Sequence, residues 1–417
     1  MSGPRHSAPP RPAAARPVVV IGAAVLALSV VLALLGGGNH DTFHTPPQVA
    51  ATTEPEQDPA PADPAPPEQD PAPPEQESAP AEDAETPEDA ETREDAEPTL
   101  DPGTEVRLAV VGDIMFARKV GDRIQSEGTG AVLAGVREEL HDADLTIGNL
   151  ESPLCSGGTP APKGYPFQAA PSSVDVLTDG SFDLVSLANN HILDFGEECM
   201  DSTTRLLQEA GIAHNGVGAT IDEARQPVIL ERHGMRISFL SYLQMPVEQG
   251  GFDAQSWTAT PTSPGLAWAD PEAIREDVTA AQTEADHVIV LLHSGFESTE
   301  HLSPEQQAAG NAALEAGATA VLGSHPHQLQ AAQERSDGSF IAWSLGNFVF
   351  DYPTGATESD TAVLHLTLGP DGVRETSWSP VLIQDGFPVA VPPSQAAGAR
   401  ILSELDRMSQ EYAQSLR

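Results

Sequence analysis

An α/β fold is predicted by three observations. From about residue 105 onward, short apolar runs alternate with helix-length amphipathic segments, the signature of strands joined through helices. Five of the apolar runs end in clusters of Asp, Glu, Asn or His. No Pro- or Ser-rich stretch divides the region, so its length of about 310 residues, large for one core, is read as one domain. The chain before it has a different character.

The 417-residue chain carries a formal net charge of −42 and 38 prolines. Residues 1–17 form a short segment with Arg5, Arg11 and Arg16, followed by a charge-free apolar run from Val18 to Leu35. Eighteen such residues stand near the lower bound for a membrane span. The segment 18–36 is therefore read as a transmembrane helix, with a cleaved secretory signal as the rival. Gly36-Gly37-Gly38 would be the weak cleavage site. No cysteine follows the run, so nothing supports a lipid anchor. Arginines before the span and acids after it place the N-terminus inside and the rest outside the cell membrane, as a single-pass protein. Residues 37–103 form an acidic, Pro-rich linker with D-P-A-P-P-E-Q at 63–69 and 70–76. With almost no apolar side chains to bury, it is expected to be disordered and extended.

The globular domain is placed at 104–390, with a C-terminal helix at 391–417. Residues 107–111 (R-L-A-V-V) read as a buried strand ending in Gly112-Asp113. Helical patterns follow at about 117–126 and 130–142, then a strand at 144–147 leading into Gly148-Asn149-Leu150-Glu151. The run 182–187 is a strand opening into Asn189-Asn190-His191, and a helix spans about 196–210. Residues 227–231 and 235–242 make a hairpin around His233-Gly234, and 246–270 look irregular. A helix at 271–285, a strand at 287–292 ending in His293, a helix at 304–316 and a strand at 319–322 ending in Ser324-His325-Pro326-His327 come next. Two last strands are expected at about 339–344 and 362–368. The hairpin and the late strands imply that part of the sheet structure is antiparallel.

Strand ends of one sheet converge on one edge, where ligands of open α/β folds bind. Asp113, Asn149 with Glu151, Asn190 with His191, His293 with Glu297, and His325 with His327 can therefore meet in space. Carboxylate, carboxamide and imidazole together make a mixed N/O site that suits Mn, Fe, Zn or Co better than Ca or Mg. More ligands than one tetrahedral shell needs point to two divalent metals, which stabilise both the attacking and the leaving oxygen of a phosphoryl displacement. Taken singly, Asp113 could be a helix cap, Asn149 and Glu151 turn residues, and His293 a satisfied structural histidine. Two histidines flanking one proline are harder to dismiss. No basic patch stands out, which excludes nucleic acid as a partner. The two cysteines form no C-x-x-C pair, which excludes a zinc ribbon.

G-D-I-M at 112–115, G-N-L-E at 148–151, A-N-N-H-I-L-D-F-G at 188–196, H-S-G-F-E at 293–297, S-H-P-H at 324–327 and S-L-G-N-F-V-F-D at 344–351 resemble the CapA (PgsA) family. That family is named for a protein of poly-γ-glutamate capsule synthesis and is placed in the calcineurin-like metallophosphoesterase superfamily. The resemblance covers about residues 105–385. It implies a four-layer α/β/β/α sandwich with a two-metal centre. It also implies Asp113, Asn190, His293, His325 and His327 as ligands, and His191 as the acid that protonates a leaving group. The superfamily's usual D-x-H becomes Asp113-Ile114-Met115 here. Its usual bridging Asp becomes Asn149, with a carboxylate two residues on. Glu151 is therefore assigned the bridge, one metal taking Asn190, His293 and His325, and a weaker one taking Asp113, Glu151 and His327.

Glu297 either orients a ligand imidazole or is a surface carboxylate, and Asp194 either supports the loop of His191 or caps a helix. Cys155 and Cys199 form a disulfide if their loops lie on neighbouring strands, since an extracellular location favours oxidation. Two classes of function remain open: a surface-anchored metal-dependent hydrolase of a cell-envelope substrate, or a non-catalytic accessory subunit working beside polymer synthase and export subunits. An acidic surface domain of no enzymatic role is the bland alternative.

Overall fold

The computed structural model describes residues 100–248, 250–351 and 356–417. The expected membrane span and linker lie outside these residues. Among the described residues, no helix is long and apolar enough to cross a membrane.

Two sheets form the frame. The first has the strand order Phe387–Ala390, Gly372–Gln384, Asp360–Gly369, Val106–Ile114, Leu145–Leu150, Leu184–Ser186, Ala213–Asn215, and Asn347–Val349 pairs in parallel against the end of Val106–Ile114. The second runs Ala332–Glu334, Phe340–Ala342, Ala320–Ser324, His287–Ser294, Met235–Gln244, Val228–Arg232. The strands that carry the polar clusters are parallel neighbours within their sheets: Val106–Ile114 with Leu145–Leu150, Leu145–Leu150 with Leu184–Ser186, and His287–Ser294 with Ala320–Ser324. Parallel strands end at the same edge, so their terminal side chains are delivered to one place.

Side-chain alternation explains why both sheets bury both faces. In Val106–Ile114, Val106, Leu108 and Val110 join Ile237, Phe239, Ile289, Leu291 and Leu322 of the second sheet in one apolar cluster. The alternate residues Ala109 and Val111 join Val120, Val176 and Leu207, which belong to the helices Arg118–Glu127, Val174–Asp179 and Glu197–Glu209. On the second sheet, Val288, Val290 and Leu292 pack against Ile274, Val278, Ala309 and Ala313 of the helices Pro271–Ala281 and Pro304–Glu315. A strand buried on both faces reads as a continuous apolar run, the pattern that marks it in the sequence.

The C-terminal helix, Ala396–Ser415, places Ile401, Leu405 and Met408 in that same second-sheet cluster, so it is packed into the domain rather than appended to it. The expected 130–142 helix is a 3-10 turn, Thr129–Ala131, and a short helix, Arg137–His141. The irregular stretch contains the turn Ala254–Trp257 and a two-residue strand, Gly265–Leu266, paired with Val217–Gly218.

Cys155 and Cys199 are joined as a disulfide, with Cα atoms 5.3 Å apart. It ties the loop after Glu151 to the helix Glu197–Glu209, where the Leu154 N–H also donates to Thr203 Oγ1 at 2.8 Å. The closed loop spans 44 residues, which constrains the unfolded chain by about 4 kcal/mol in the loop-entropy picture. A Cys155→Ser/Cys199→Ser variant should lose about 2–4 kcal/mol in denaturant melts. Equal midpoints for the variant and the oxidised parent would contradict this.

Candidate metal centre

The register brings the clusters together. Asp113 is aligned with Asn149 on one side and Asn347 on the other, and Asn149 with Ser186. In the second sheet His293 is aligned with Ser324. Backbone crowding explains the glycines: a Cβ on Gly112 would meet the Gly346 carbonyl oxygen at 1.8 Å, and that oxygen accepts from the Asp113 N–H at 2.9 Å. His325 and His327 sit at φ 95° and 59° around Pro326. Left-handed backbone is costly for residues with a Cβ and persists where the fold over-determines it, commonly at functional sites.

Asp113, Asn149, Glu151, Asn190, His191 and His293 are all buried, as is His325. Glu151 carries the central observation. Its two carboxylate oxygens are buried and make no hydrogen bond, while Oε1 lies 3.6 Å from His293 Nε2, 3.8 Å from His327 Nε2 and 4.0 Å from His191 Nε2. A buried carboxylate without donors is costly unless a cation meets it. Burial, then the charge of Asp113, pushes the Glu151 pKa well up. For His327, burial pulls the pKa down, but Glu151 and Asp113 outweigh it and raise it to about 10. Burial, then neighbouring imidazoles, lowers His293 and His325 well below the ordinary value, so both are neutral and carry a free lone pair. His325 Nδ1 and Asn190 Oδ1 each lie 3.1 Å from His293 Nε2.

Three overlapping sets of ligand atoms are close enough to hold a cation: Glu151, His293 and His325; Asp113, Glu151 and His327; and Glu297, His325 and His327. Glu151 belongs to the first two, which is the geometry of a shared ligand. Glu297 is exposed at the rim. Asn149 takes a different part: its amide donates to Asp113 Oδ1 at 2.8 Å, lies 3.1 Å from His293 Nδ1, and accepts from Asn189 at 3.1 Å. It braces Asp113 and His293, two of the candidate ligands. Met115 is fully buried in the apolar cluster behind the first sheet and adds no ligand.

His191 is held from behind. Asp194 Oδ2 lies 2.6 Å from its Nδ1, leaving Nε2 to face Glu151. Asp194 supports the ring itself. Burial pushes its carboxyl up to about 7, against the pull of Lys163. Burial, then Lys163, His327 and Arg118, lowers His191 well below its ordinary value.

Sequence reasoning missed several participants. Lys163 is one of only two lysines in the chain. Its side chain is 1% exposed, with Nζ 2.6 Å from the Asn190 carbonyl, 3.1 Å from Asp194 and 3.2 Å from Glu248. The rarity of lysine was the available signal. Phe167 stacks on His191, ring centres 3.8 Å apart and planes 13° apart. Asn347, within a motif that carried no assigned role, accepts from His327 Nδ1 through its Oδ1 at 2.9 Å, and Ser324 Oγ lies 2.9 Å from His293 Nδ1.

The fold and these side chains define a class: a two-sheet α/β domain with a carboxylate–imidazole–carboxamide centre at the ends of parallel strands. Comparison with known proteins narrows it. The family model described as bacterial capsule synthesis protein PGA_cap matches residues 107–352. The capsule biosynthesis protein CapA of Bacillus anthracis is 30% identical over 295 residues, 69% of this chain and 70% of its own length. The PGA biosynthesis protein CapA of Bacillus subtilis is 30% identical over 302 residues, 72% of this chain and 77% of its own. A probable polyglutamine synthesis accessory protein of Mycobacterium tuberculosis is 31% identical over 234 residues, 54% of this chain and 60% of its own. A hypothetical protein from Thermus thermophilus of known structure superposes over 66% of this chain and 98% of its own with a TM-score of 0.43 and 17% identity. The chain belongs to the bacterial capsule synthesis protein family.

Cation binding must displace the proton on His327, so affinity should fall as pH falls, by roughly tenfold per pH unit for each proton displaced. Manganese titration in weakly buffered solution, with proton release recorded, checks this. Glu151→Gln should abolish binding; unchanged metal content in that variant would show that the carboxylate is not a ligand.

Proposed function

We propose that this protein is a metal-dependent hydrolase of the phosphoesterase type, acting in the biosynthesis of a capsule or cell-envelope polymer of the poly-γ-glutamate class. It works outside the cell, held by the apolar segment 18–36. The observation that carries the reading is Glu151, a buried carboxylate without hydrogen-bond donors, set among imidazoles and within 4.0 Å of a His191 ring that Asp194 orients. The frame inferred is the four-layer α/β/β/α sandwich of the metallophosphoesterases.

Two cations are assigned. Asn190, His293, His325 and Glu151 would hold the firmer one, and Asp113, His327 and Glu151 the weaker. Such a pair supplies Lewis-acid polarisation of the oxygens of the scissile group. The remaining steps belong to the protein. Asp194 fixes the orientation of the imidazole through its contact with Nδ1. His191 Nε2 holds the proton that the leaving group takes as its bond breaks. Phe167 covers one face of the ring and keeps water from it. General acid catalysis of this kind contributes about 10²–10⁴-fold.

A second reading is an accessory subunit of a polymer synthesis and export complex. The name of the mycobacterial relative favours it. Retention of an oriented histidine beside the ligands favours the hydrolase, since a binding module has no use for a positioned acid.

The test uses the manganese-loaded protein with phenyl phosphate and 2,4-dinitrophenyl phosphate. His191→Ala should lose about 10²-fold or more on phenyl phosphate and much less on the dinitrophenyl ester, whose leaving group needs no proton, while metal content stays the same. Equal losses on both esters would remove His191 from the acid role. Metal bound without hydrolysis of either would shift the assignment to the accessory reading. Two equally tight manganese sites would overturn the firm-and-weak assignment.

A further inference from the structure

A cleft opens on the other side of the strand ends that carry His293. In the strand Met235–Gln244, Leu240 and Tyr242 pack in the cluster formed with the helices Pro271–Ala281 and Pro304–Glu315, and in His287–Ser294 so do Val290 and Leu292. Strand side chains alternate in direction, so the next residues on that side are Gln244 and Ser294. The register pairs Gln244 with Ser294, and Leu243 with His293. His293 therefore turns to the centre between the sheets, and Gln244 and Ser294 turn to the helices.

Past Tyr242 and Leu292 the apolar packing stops. Gln244 is 9% exposed, and its Oε1 is buried without a hydrogen-bond partner; the Oγ of the fully buried Ser294 has none either. Buried polar groups of a native fold are nearly always bonded. Two orphans side by side at strand ends, where open α/β folds take their ligands, mark a site rather than a piece of core. Gln244 lines a cleft of about 420 Å³, a size that falls among small-molecule sites. Pro271 and Ala273 of one helix and Ala308 of the other form two of its walls, and Trp268, Gln255 and Thr258 form a third.

The lining selects among ligand classes. The carboxamides of Gln244 and Gln255 offer donors and acceptors without charge. Arg225 reaches the cleft with its charge paired, since Nε and one Nη each bond Asp277 at 2.8 Å. Asp270 uses Oδ1 to cap the N–H groups of Glu272 and Ala273, and with Glu305 it sets two acids at the rim, which turns anions away. Both acids are exposed, so water screens their pull on a cation. A neutral molecule rich in hydroxyl groups, with an apolar face to lay against Trp268, matches this lining, and a pyranose ring is such a molecule.

We propose that this cleft is a binding site for a neutral saccharide, beside the metal centre and independent of it. The Gln244 amide bonds hydroxyl groups of the ring, and Trp268 covers its apolar face. Neither a cation nor the hydrolytic reading is needed for this binding.

The test titrates the full chain with glucose, N-acetylglucosamine and maltose, and with glucuronate and glucosamine as charged versions of the same ring, followed by saturation-transfer NMR. At least one neutral sugar should bind with a Kd of about 1 mM, as expected of a few uncharged hydrogen bonds in an open cleft, and more tightly than either charged ring. Gln244→Leu, which removes the amide and nearly keeps the volume, should weaken binding about tenfold. Gln255→Ala, at an exposed position, should weaken it severalfold, and decides the matter if Gln244→Leu fails to fold. Chelation of divalent metal, and Glu151→Gln, should leave the affinity unchanged. Sugar binding that disappears with the metal would place the sugar in the centre and overturn the inference. Preference for a charged ring over every neutral one, no binding of the neutral sugars, or equal binding by the parent and the folded variants also overturns it.

Discussion

The centre depends on one buried negative charge. Glu151 sits where the two sheets bring their strand ends together, and no donor of the protein satisfies either of its oxygens. Beside it lies Asp113, also fully buried. Two carboxylates removed from water repel one another, and each loses hydration worth several kcal/mol. In the protein by itself, the raised proton affinity of Glu151 and of His327 answers that repulsion. Divalent cations answer it better, because they carry the charge that the carboxylates lack and engage the neutral imidazoles as well. The fold thus builds a site that is poor as a salt bridge and good as a metal cradle.

Much of the surrounding structure serves to make that cradle rigid. Asn149 and Asn189 form a chain of carboxamides between Asp113, His293 and the Leu150 carbonyl. Asn347 and Ser324 fix the far nitrogens of His327 and His293. The disulfide and the Leu154–Thr203 bond hold the loop after Glu151 against the helix that follows His191. Such supports set ring orientation and the nitrogen that faces the cation, and metal sites lose affinity when they are removed. The left-handed His325 and His327 show how far the backbone is bent to aim two imidazoles at one point.

Charge organises the function at a second level. The chain is strongly acidic, and its permanent cations near the centre are few and specialised. Lys163 is used up internally, locking Asp194 and the Asn190 carbonyl. Arg118 is bound to Asp351 and lies over Phe167 and Phe350, the rings beside His191 and His327.

The apolar runs at 107–111, 182–187 and 287–292 were legible in the sequence because strands buried on both faces have no polar alternation. Asp113, Glu151, Asn190, His191, His293, His325 and His327 were legible because each follows such a run or sits in a quoted motif. The strand Gly372–Gln384 was not, since none of its first eight residues is fully buried and Arg374, Glu375 and Ser377 are exposed, so it shows no apolar run. By itself the sequence determined which side chains can bind a cation and that they lie at strand ends, because ligand chemistry and strand periodicity are local properties. The sequence already pointed to Glu151 rather than Asn149 as the shared carboxylate; only the tertiary structure placed Glu151 in two of the candidate cation-binding sets, bonded Asn149 to Asp113, and brought Lys163 and Phe167 against Asp194 and His191. Those facts depend on register between strands and on loops crossing from distant parts of the chain, and distances of 3–5 Å between residues up to two hundred positions apart are not encoded in any local pattern.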